Sequence, residues 1–468
     1  MSTLLRKAYS AASFEQQGYQ LISLLAQHLK KSTDHSAMNW IAPEKQMEFW
    51  KNDFSSGLLS DPVTLFKEIA DRSINVRNPK YMGHQVACPL PLTILSSAFI
   101  SCLNQSLPIY EMGMVGTALE KIVTDHIKTK FGFGNQSSGI ITSGGSLGNL
   151  TAILAAKAQF KEKDHPDLVI LVSREAHYSI ERAAKIAGLP ASGLIQLPVN
   201  EKFQLQTELL TEVYRDLTLK GKKVLCIVGC ACSTSLGVYD DLEAIGSWAR
   251  EHNIWFHVDG AHGGAAIFSP DYKDLLKGAE QADSIILDFH KLLMAPSLST
   301  ALIYRDGKNA KKTFAQEADY LFDNHDKNDW CESGKSTFEC TKPMHILNTY
   351  MILRTYGDEI YRENIDTLYN LARKFYFMIE NDDKFEAALE PMSNIVCFRY
   401  KNGNNLNVIN HTISKEILLD GSYYIVNTTI NGEFWLRVSI QNPFTNESHF
   451  KGLLGKIKEI GGKLQEII

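Results

Sequence analysis

The segment WFHVDGAHGGAAIFSPDYKDLLKGAEQADSIILDFHKLLMAPSLSTALIYR, residues 255–305, holds two apolar runs that each end on charged side chains. The first, Trp255 to Asp259, closes on an aspartate and passes at once into small residues, which let a backbone approach a ligand closely. The second, Ala282 to Leu287, gives way to Asp288, Phe289, His290 and Lys291. A lysine directly after such a strand is expected in an apolar pocket, where burial pushes its amine toward the neutral form that attacks a carbonyl.

Taken singly, an aspartate or a lysine at a strand end reads as a solvated edge residue. As an ordered pair with a glycine turn between them, they describe a site for pyridoxal phosphate: Lys291 forms the Schiff base, and Asp259 keeps the pyridine nitrogen protonated. Strands and helices alternate ahead of this segment, with strands at 167–173 and 223–232 and helices at 177–188 and 242–253, the last capped by Asp241. That alternation predicts a mostly parallel sheet covered on both faces, with ligands at the carboxyl ends of its strands. His177 falls just after one such end. It reads either as an exposed capping group or as an imidazole stacked on a flat ring and able to exchange protons near neutral pH. Upstream, Thr142 to Gly145 form a tight turn before a strong helix former, so Gly145 and Ser146 lie at a helix start suited to a phosphate. No strand ahead of this turn can be placed from the sequence, and a glycine turn by itself is weak evidence.

The chain has 468 residues, 44% of them hydrophobic, enough for a large core and more than one domain. A formal net charge of −5 gives no footprint for nucleic acid or anionic lipid. The longest apolar run, Leu90 to Leu103, is broken by serines and is too short to span a bilayer, and the amino terminus lacks a secretory apolar stretch. A cytoplasmic enzyme is expected. Cys226, Cys230 and Cys232 lack histidines at zinc spacing and read as strand packing, so no metal site is expected.

Apolar residues at helical spacing predict a helix from Ser13, as N-cap, to Lys31, and another from Asp61 to about Ile74 with Pro62 in its first turn. These read as an arm, residues 1–77, that packs on something larger. Tyr81, His84 and Gln85 cluster in an irregular stretch, and Glu111 precedes a helix through Leu119 and Ile127. After Arg305, residues 322–336 are polar and aperiodic, long enough for a mobile lid. Helices from Met344 to Tyr356 and from Glu359 to Glu380 lead into a compact α+β domain ending in FKGLLGKIKEIGGKLQEII. Within it Arg437 reads equally as a surface arginine on an edge strand or as a carboxylate clamp.

In this order TSGGS with its Asn-containing helix start, HYSIERAA, STSLGVYDDL, HVDGAHGG and FHK resemble the group II pyridoxal-phosphate-dependent amino acid decarboxylases, over Asn78 to Pro443. The resemblance implies an α/β, PLP-dependent transferase-like architecture (fold type I). A mostly parallel central sheet is expected in residues 78–343, an N-terminal helical arm in 1–77, and a small C-terminal α+β domain in 344–468. It implies Lys291 as the Schiff-base lysine, His290 beside the phosphate, Asp259 on the ring nitrogen, Ala261 beneath the ring and His177 on its face. Gly145 and Ser146 match the phosphate turn, while Ser233 and Thr234 match residues that contact the cofactor. His84 falls beside the substrate, Glu111 with it suits a second amine, and Arg437 matches a carboxylate-binding arginine. A homodimer with a shared site is implied, clasped by the arm.

Two departures stand out. Many members carry a loop tyrosine that protonates Cα, yet residues 322–336 contain none; Asn328 takes its place, with His325 and Trp330 nearby. Asp288 stands where many have asparagine. The leading expectation is an L-amino acid decarboxylase releasing carbon dioxide and an amine. The rivals are decarboxylation with oxidation to an aldehyde, and an inactive cofactor-binding partner protein.

Overall fold

The computed structural model describes residues 3–59, 61–162, 164–315 and 329–465. They divide into a smaller unit (Met1–His84, Lys374–Ala388 and Cys397–Ile468) and a larger one (Gln85–Arg373 and Leu389–Val396). The smaller unit opens with helices α1 (Thr3–Ala8), α2 (Ala11–Lys30), α3 (Pro43–Ser55) and α4 (Pro62–Asp71), none of which has a buried residue. The cap of α2 is Ser10, not Ser13: its side chain accepts the Ser13 N–H at 3.2 Å. Two alanines at the start extend the helix to that earlier serine. Asp61 caps α4 as expected, accepting the Val63 N–H at 3.0 Å with Pro62 in the first turn, and the helix ends at Asp71, short of Ile74.

The larger unit follows with α5 (Pro91–Leu103), α6 (Met114–Lys130), β1 (Ser138–Thr142), α7 (Gly145–Gln159), β2 (Leu168–Ser173), α8 (Ser179–Ile186), β3 (Leu194–Leu197) and α9 (Leu210–Leu219). Then come β4 (Lys223–Cys230), α10 (Leu242–Glu251), β5 (Trp255–Asp259), β6 (Ser284–Asp288), β7 (Thr300–Tyr304), α11 (Lys308–Phe314), α12 (Ile346–Tyr356) and α13 (Glu359–Glu380), the last passing into the smaller unit from Lys374. The strands form a sheet in the order β1-β7-β6-β5-β4-β2-β3. From β6 to β3 every pairing is parallel, while β7 is antiparallel to both its neighbours. Two reversals cancel, so β1 runs the same way as β6 and the glycine turn after it opens at the edge where β4, β5 and β6 end.

Continuous apolar strands such as VLCIV in β4 are what a sheet covered on both faces requires. Leu150 and Ile153 of α7 and Ile180 and Ala183 of α8 pack against Ile170, Val172 and Val228. Each fully buried aliphatic side chain of this size contributes about 1.5–3 kcal/mol. Asp241 caps α10 through the Ala244 N–H at 3.0 Å. At the outer edge of β1, Ile141 gives its N–H to Glu120 at 3.0 Å and receives Lys342 on its carbonyl at 2.8 Å. These two side chains are themselves paired at 2.6 Å, and both are buried.

The smaller unit resumes with β8 (Phe385–Ala387), β9 (Ile395–Tyr400), α14 (Leu406–Asp420), β10 (Val426–Ile430), β11 (Glu433–Ser439) and α15 (Glu447–Gln465), its sheet ordered β10-β11-β9-β8. This is the α+β arrangement expected of the carboxyl-terminal part. His325 and Asn328, in the segment read as a lid, lie outside the described residues; Trp330 is exposed in a short turn at Asp329–Cys331.

Candidate active site

The carboxyl ends of β1, β4, β5 and β6 surround a cavity of about 220 Å³. Lys291 and Asp259 both line it, as do His177, Gly145, Ser146, Ser233, Thr234, Ala261 and His290, so every residue named from the sequence for the cofactor faces one space. At the end of the cavity formed by the glycine turn, Gly144 adopts a φ of +104°, which glycine reaches without strain, and α7 starts at the next residue. Leu147 and Gly148 give their N–H groups to the Gly144 carbonyl at 3.1 Å, while those of Gly145 and Ser146 have no carbonyl one turn back to bind. A Cβ built on Gly145 would lie 3.1 Å from Asp288 Oδ1 and 3.3 Å from the Ala261 Cβ, so only a hydrogen keeps this hollow open. The donor set and the hollow fit the phosphate of pyridoxal phosphate.

Asp259 is buried and held on both oxygens: Asn149 Nδ2 donates to Oδ2 at 2.9 Å, and the Ala261 N–H donates to Oδ1 at 3.2 Å. An acceptor fixed in this way suits a protonated ring nitrogen. His177 Nδ1 lies 2.7 Å from Ser179 Oγ, and its ring packs against Tyr178 at 4.2 Å between centroids. Burial lowers its pKa, the nearby Asp259 opposes that, Lys291 adds to it, and the net shift is downward, toward a neutral imidazole. Ser233 closes the turn after β4: its Oγ accepts the Val238 N–H at 3.2 Å. His290 Nδ1 sits 3.0 Å from the Ser299 carbonyl oxygen, and Nε2 is 3.6 Å from Asp288 Oδ2.

Lys291 corrects one expectation. Its ammonium lies 2.9 Å from Asp288 Oδ2, and Asp288 is 2% exposed. Burial does push the amine toward neutrality, but Asp288, followed by Asp259, outweighs it and leaves the pKa raised. Asp288 responds in kind: burial pushes its pKa up, yet Lys291, His290 and the Thr300 hydroxyl at 2.5 Å bring it below the usual carboxylate range. Among the described residues the pair is therefore ionised, not a neutral amine in an apolar pocket.

The substrate candidates are not among the residues lining this cavity. Glu111 is exposed on a short turn at Tyr110–Met112 of the larger unit. His84 and Arg437 belong to the smaller unit, where loss of water and then the Arg437 charge lower the His84 pKa, and its ring lies 6.0 Å from that of Tyr424. Arg437 is 5% exposed on β11, which has β10 on one side and β9 on the other, so the edge-strand reading is overturned. Sequence reasoning passed over Asn149, Ser179 and His257 as site residues, although Asn149 stands one turn after the glycine turn and His257 two residues before Asp259, on the same side of its strand.

A family model described as the pyridoxal-dependent decarboxylase conserved domain matches residues 93–401. The chain is 24% identical over 464 residues to an aromatic-L-amino-acid decarboxylase of Bacillus atrophaeus, covering 96% of each. It is 23% identical over 491 residues to an L-2,4-diaminobutyrate decarboxylase of Acinetobacter baumannii, covering 99% of this chain and 96% of the relative. The solved glutamate decarboxylase domain of diaminobutyrate-pyruvate transaminase and L-2,4-diaminobutyrate decarboxylase from Vibrio parahaemolyticus superposes with a TM-score of 0.85 at 25% identity, over 97% of this chain and 96% of that one.

Proposed function

The chain belongs to the pyridoxal-dependent decarboxylase family, and on that premise we propose a cytoplasmic homodimeric enzyme that removes the α-carboxylate of an L-amino acid as carbon dioxide and releases the amine. One observation carries the reading: Lys291, Asp259 and the first turn of α7 face a single cavity. Bound there, pyridoxal phosphate supplies an electron-withdrawing ring that takes up the charge left on Cα when carbon dioxide departs. Lys291 is the anchoring amine, and Asp259 keeps the ring nitrogen cationic. His177 would cover one face of the ring, with Ala261 beneath. The N–H groups of Gly145 and Ser146 would hold the phosphate with the positive end of α7 behind them, and Ser233, Thr234 and His290 complete the wall. Arg437, His84 and Glu111 are assigned to the substrate, the arginine for a carboxylate and the other two for a second amine. Exposed Leu4, Phe14, Tyr19 and Phe54 on α1 to α3, with Tyr9 between the first two, support an arm covered by a second subunit.

A panel of L-amino acids, scored for carbon dioxide and amine with the wild type and with Lys291→Ala, tests this. One amino acid should give both products in equal amounts with the wild type and neither with the variant. Cofactor bound to the wild type without turnover of any amino acid would replace the enzyme by a cofactor-binding partner protein. A second reading rests on the missing tyrosine at 322–336: without that proton donor, oxygen consumption with aldehyde and ammonia in place of amine marks the oxidative reaction.

A further inference from the structure

Behind the cavity wall lies a chain of hydrogen bonds whose direction is set from its Asp259 end. The Trp255 indole only donates, and it gives its Nε1–H to Ser284 Oγ at 3.0 Å. Ser284 Oγ lies 2.8 Å from His257 Nδ1, which also faces the Ser284 carbonyl oxygen at 3.2 Å, and His257 Nε2 lies 2.9 Å from Asn149 Oδ1. At the far end the Asp259 carboxylate only accepts, so the Asn149 amide must turn its nitrogen toward it, at 2.9 Å, and its oxygen toward His257. His257 then carries its proton on Nε2; burial keeps the ring neutral, so Nδ1 is left bare and takes the hydroxyl hydrogen of Ser284 Oγ, the nearer of its two contacts. Every hydrogen in the series points toward Asp259.

Asn149 has a second N–H, donated to Ser179 Oγ at 2.9 Å. That hydroxyl has its own hydrogen left for His177 Nδ1 at 2.7 Å, which also faces the Ser179 backbone N–H at 3.3 Å. Two donors on Nδ1 leave the His177 proton on Nε2. A single amide thus orients both the acceptor and the imidazole that flank the cavity.

We propose that Asn149, oriented by His257 and Ser284, is the positioning residue that fixes Asp259 as a charged acceptor and His177 as its Nε2–H tautomer. The inference rests on Asp259 being the partner of the ring nitrogen, as in the function proposed above. Asn149→Asp keeps the shape but sets a second carboxylate against Asp259 where an N–H donor stood. His257→Gln keeps a donor at the Nε2 position, and His257→Leu removes it.

The first measurement is the long-range ¹H–¹⁵N spectrum of the histidines in the cofactor-free protein, where His257 and His177 should both appear as Nε2–H tautomers. The second is the dissociation constant of pyridoxal phosphate and the ¹⁵N shift of its ring nitrogen when bound. The wild type should hold the ring nitrogen protonated. Asn149→Asp and His257→Leu should weaken binding by about ten- to a hundredfold, the worth of a hydrogen bond to a charged group, and lose that protonation, while His257→Gln restores both. Equal affinity and ring protonation in the wild type, Asn149→Asp and His257→Leu would overturn the inference, as would an Nδ1–H proton on His177 in the wild type. Failure of His257→Gln to rescue, with circular dichroism unchanged, would reduce His257 to packing and overturn its part. Absence of pyridoxal phosphate binding to the wild type, with the predicted tautomers in place, would count against the proposed function and leave the relay standing.

Discussion

Replacing Asp288 by asparagine changes the electrostatics of the site at one atom. The amide keeps the volume and an oxygen for the Thr300 hydroxyl, but the negative charge 2.9 Å from the Lys291 ammonium is gone. A hydrogen bond between charged groups contributes about 1.5–3 kcal/mol. Because Asp259 still faces the amine, the lower figure applies, and about 1.4 kcal/mol is a factor of ten in population. Only the neutral amine attacks a carbonyl, so Asp288→Asn apoprotein should take up pyridoxal phosphate about tenfold faster at pH 7. Uptake is followed by stopped flow as the visible band of the lysine adduct grows, and the pH at which its rate levels off should move down.

The same pair links stability to pH at both ends. The Lys291 pKa is raised in the folded state, so its contribution is complete below the unfolded lysine value near ~10.4 and is lost as pH rises through the folded value. The Asp288 pKa is lowered, so its contribution is present above ~3.9 and is lost as pH falls through the folded value. Both limbs describe one interaction, and Asp288→Asn should erase both from a plot of melting temperature against pH. A folded variant that binds the cofactor no faster than the wild type at pH 7 would refute the assignment of Asp288 as the group holding Lys291 charged.

Gly145→Ala should weaken pyridoxal phosphate binding by about 1–3 kcal/mol in equilibrium dialysis, since its Cβ would crowd Asp288 at 3.1 Å; unchanged affinity would move the phosphate elsewhere. Lys342→Met strands the buried Glu120 carboxylate and should lower stability to denaturant by about 3–5 kcal/mol, with Glu120→Gln in the same chain recovering most of it. Burial brings the His257 pKa down from 6.5 to about 4, so the unfolded chain gains a proton before the folded one as pH falls. Wild-type apoprotein should therefore lose up to roughly 3 kcal/mol between those values, and urea titrations of His257→Gln at pH 7 and pH 5 should show a smaller difference.

The parallel sheet was legible because its central strands are largely apolar runs: β4, β5 and β6 each announce their own ends. β1 was not, for SGIIT at a sheet edge holds only two large apolar residues, and the missing strand left the glycine turn without its setting. β3, four residues with a glutamine in the middle, failed to register for the same reason. Lys291 and Asp259 could be paired from sequence because each closes a strand. The charge of Lys291 could not be read, since Asp288 three residues earlier matters only once both are known to be buried and in contact. Arg437 stayed open between two readings because the polar β10 that flanks it, VNTTI, does not look like a strand that would make its neighbour internal. Asn149 counted only as part of a helix; the side chains that give it purpose come from β5 and α8, distant in the chain.

The outer margin of the large sheet has a consequence for solubility. A strand with one side unpartnered is a template on which another chain can add itself, and proteins that persist at high concentration blunt it. At Ile141 the place of a further strand is taken by a carboxylate that receives the amide hydrogen and an ammonium that caps the carbonyl. The sheet is thereby terminated by side chains that cannot propagate it, and a chain lacking either one would offer an open seam for self-association.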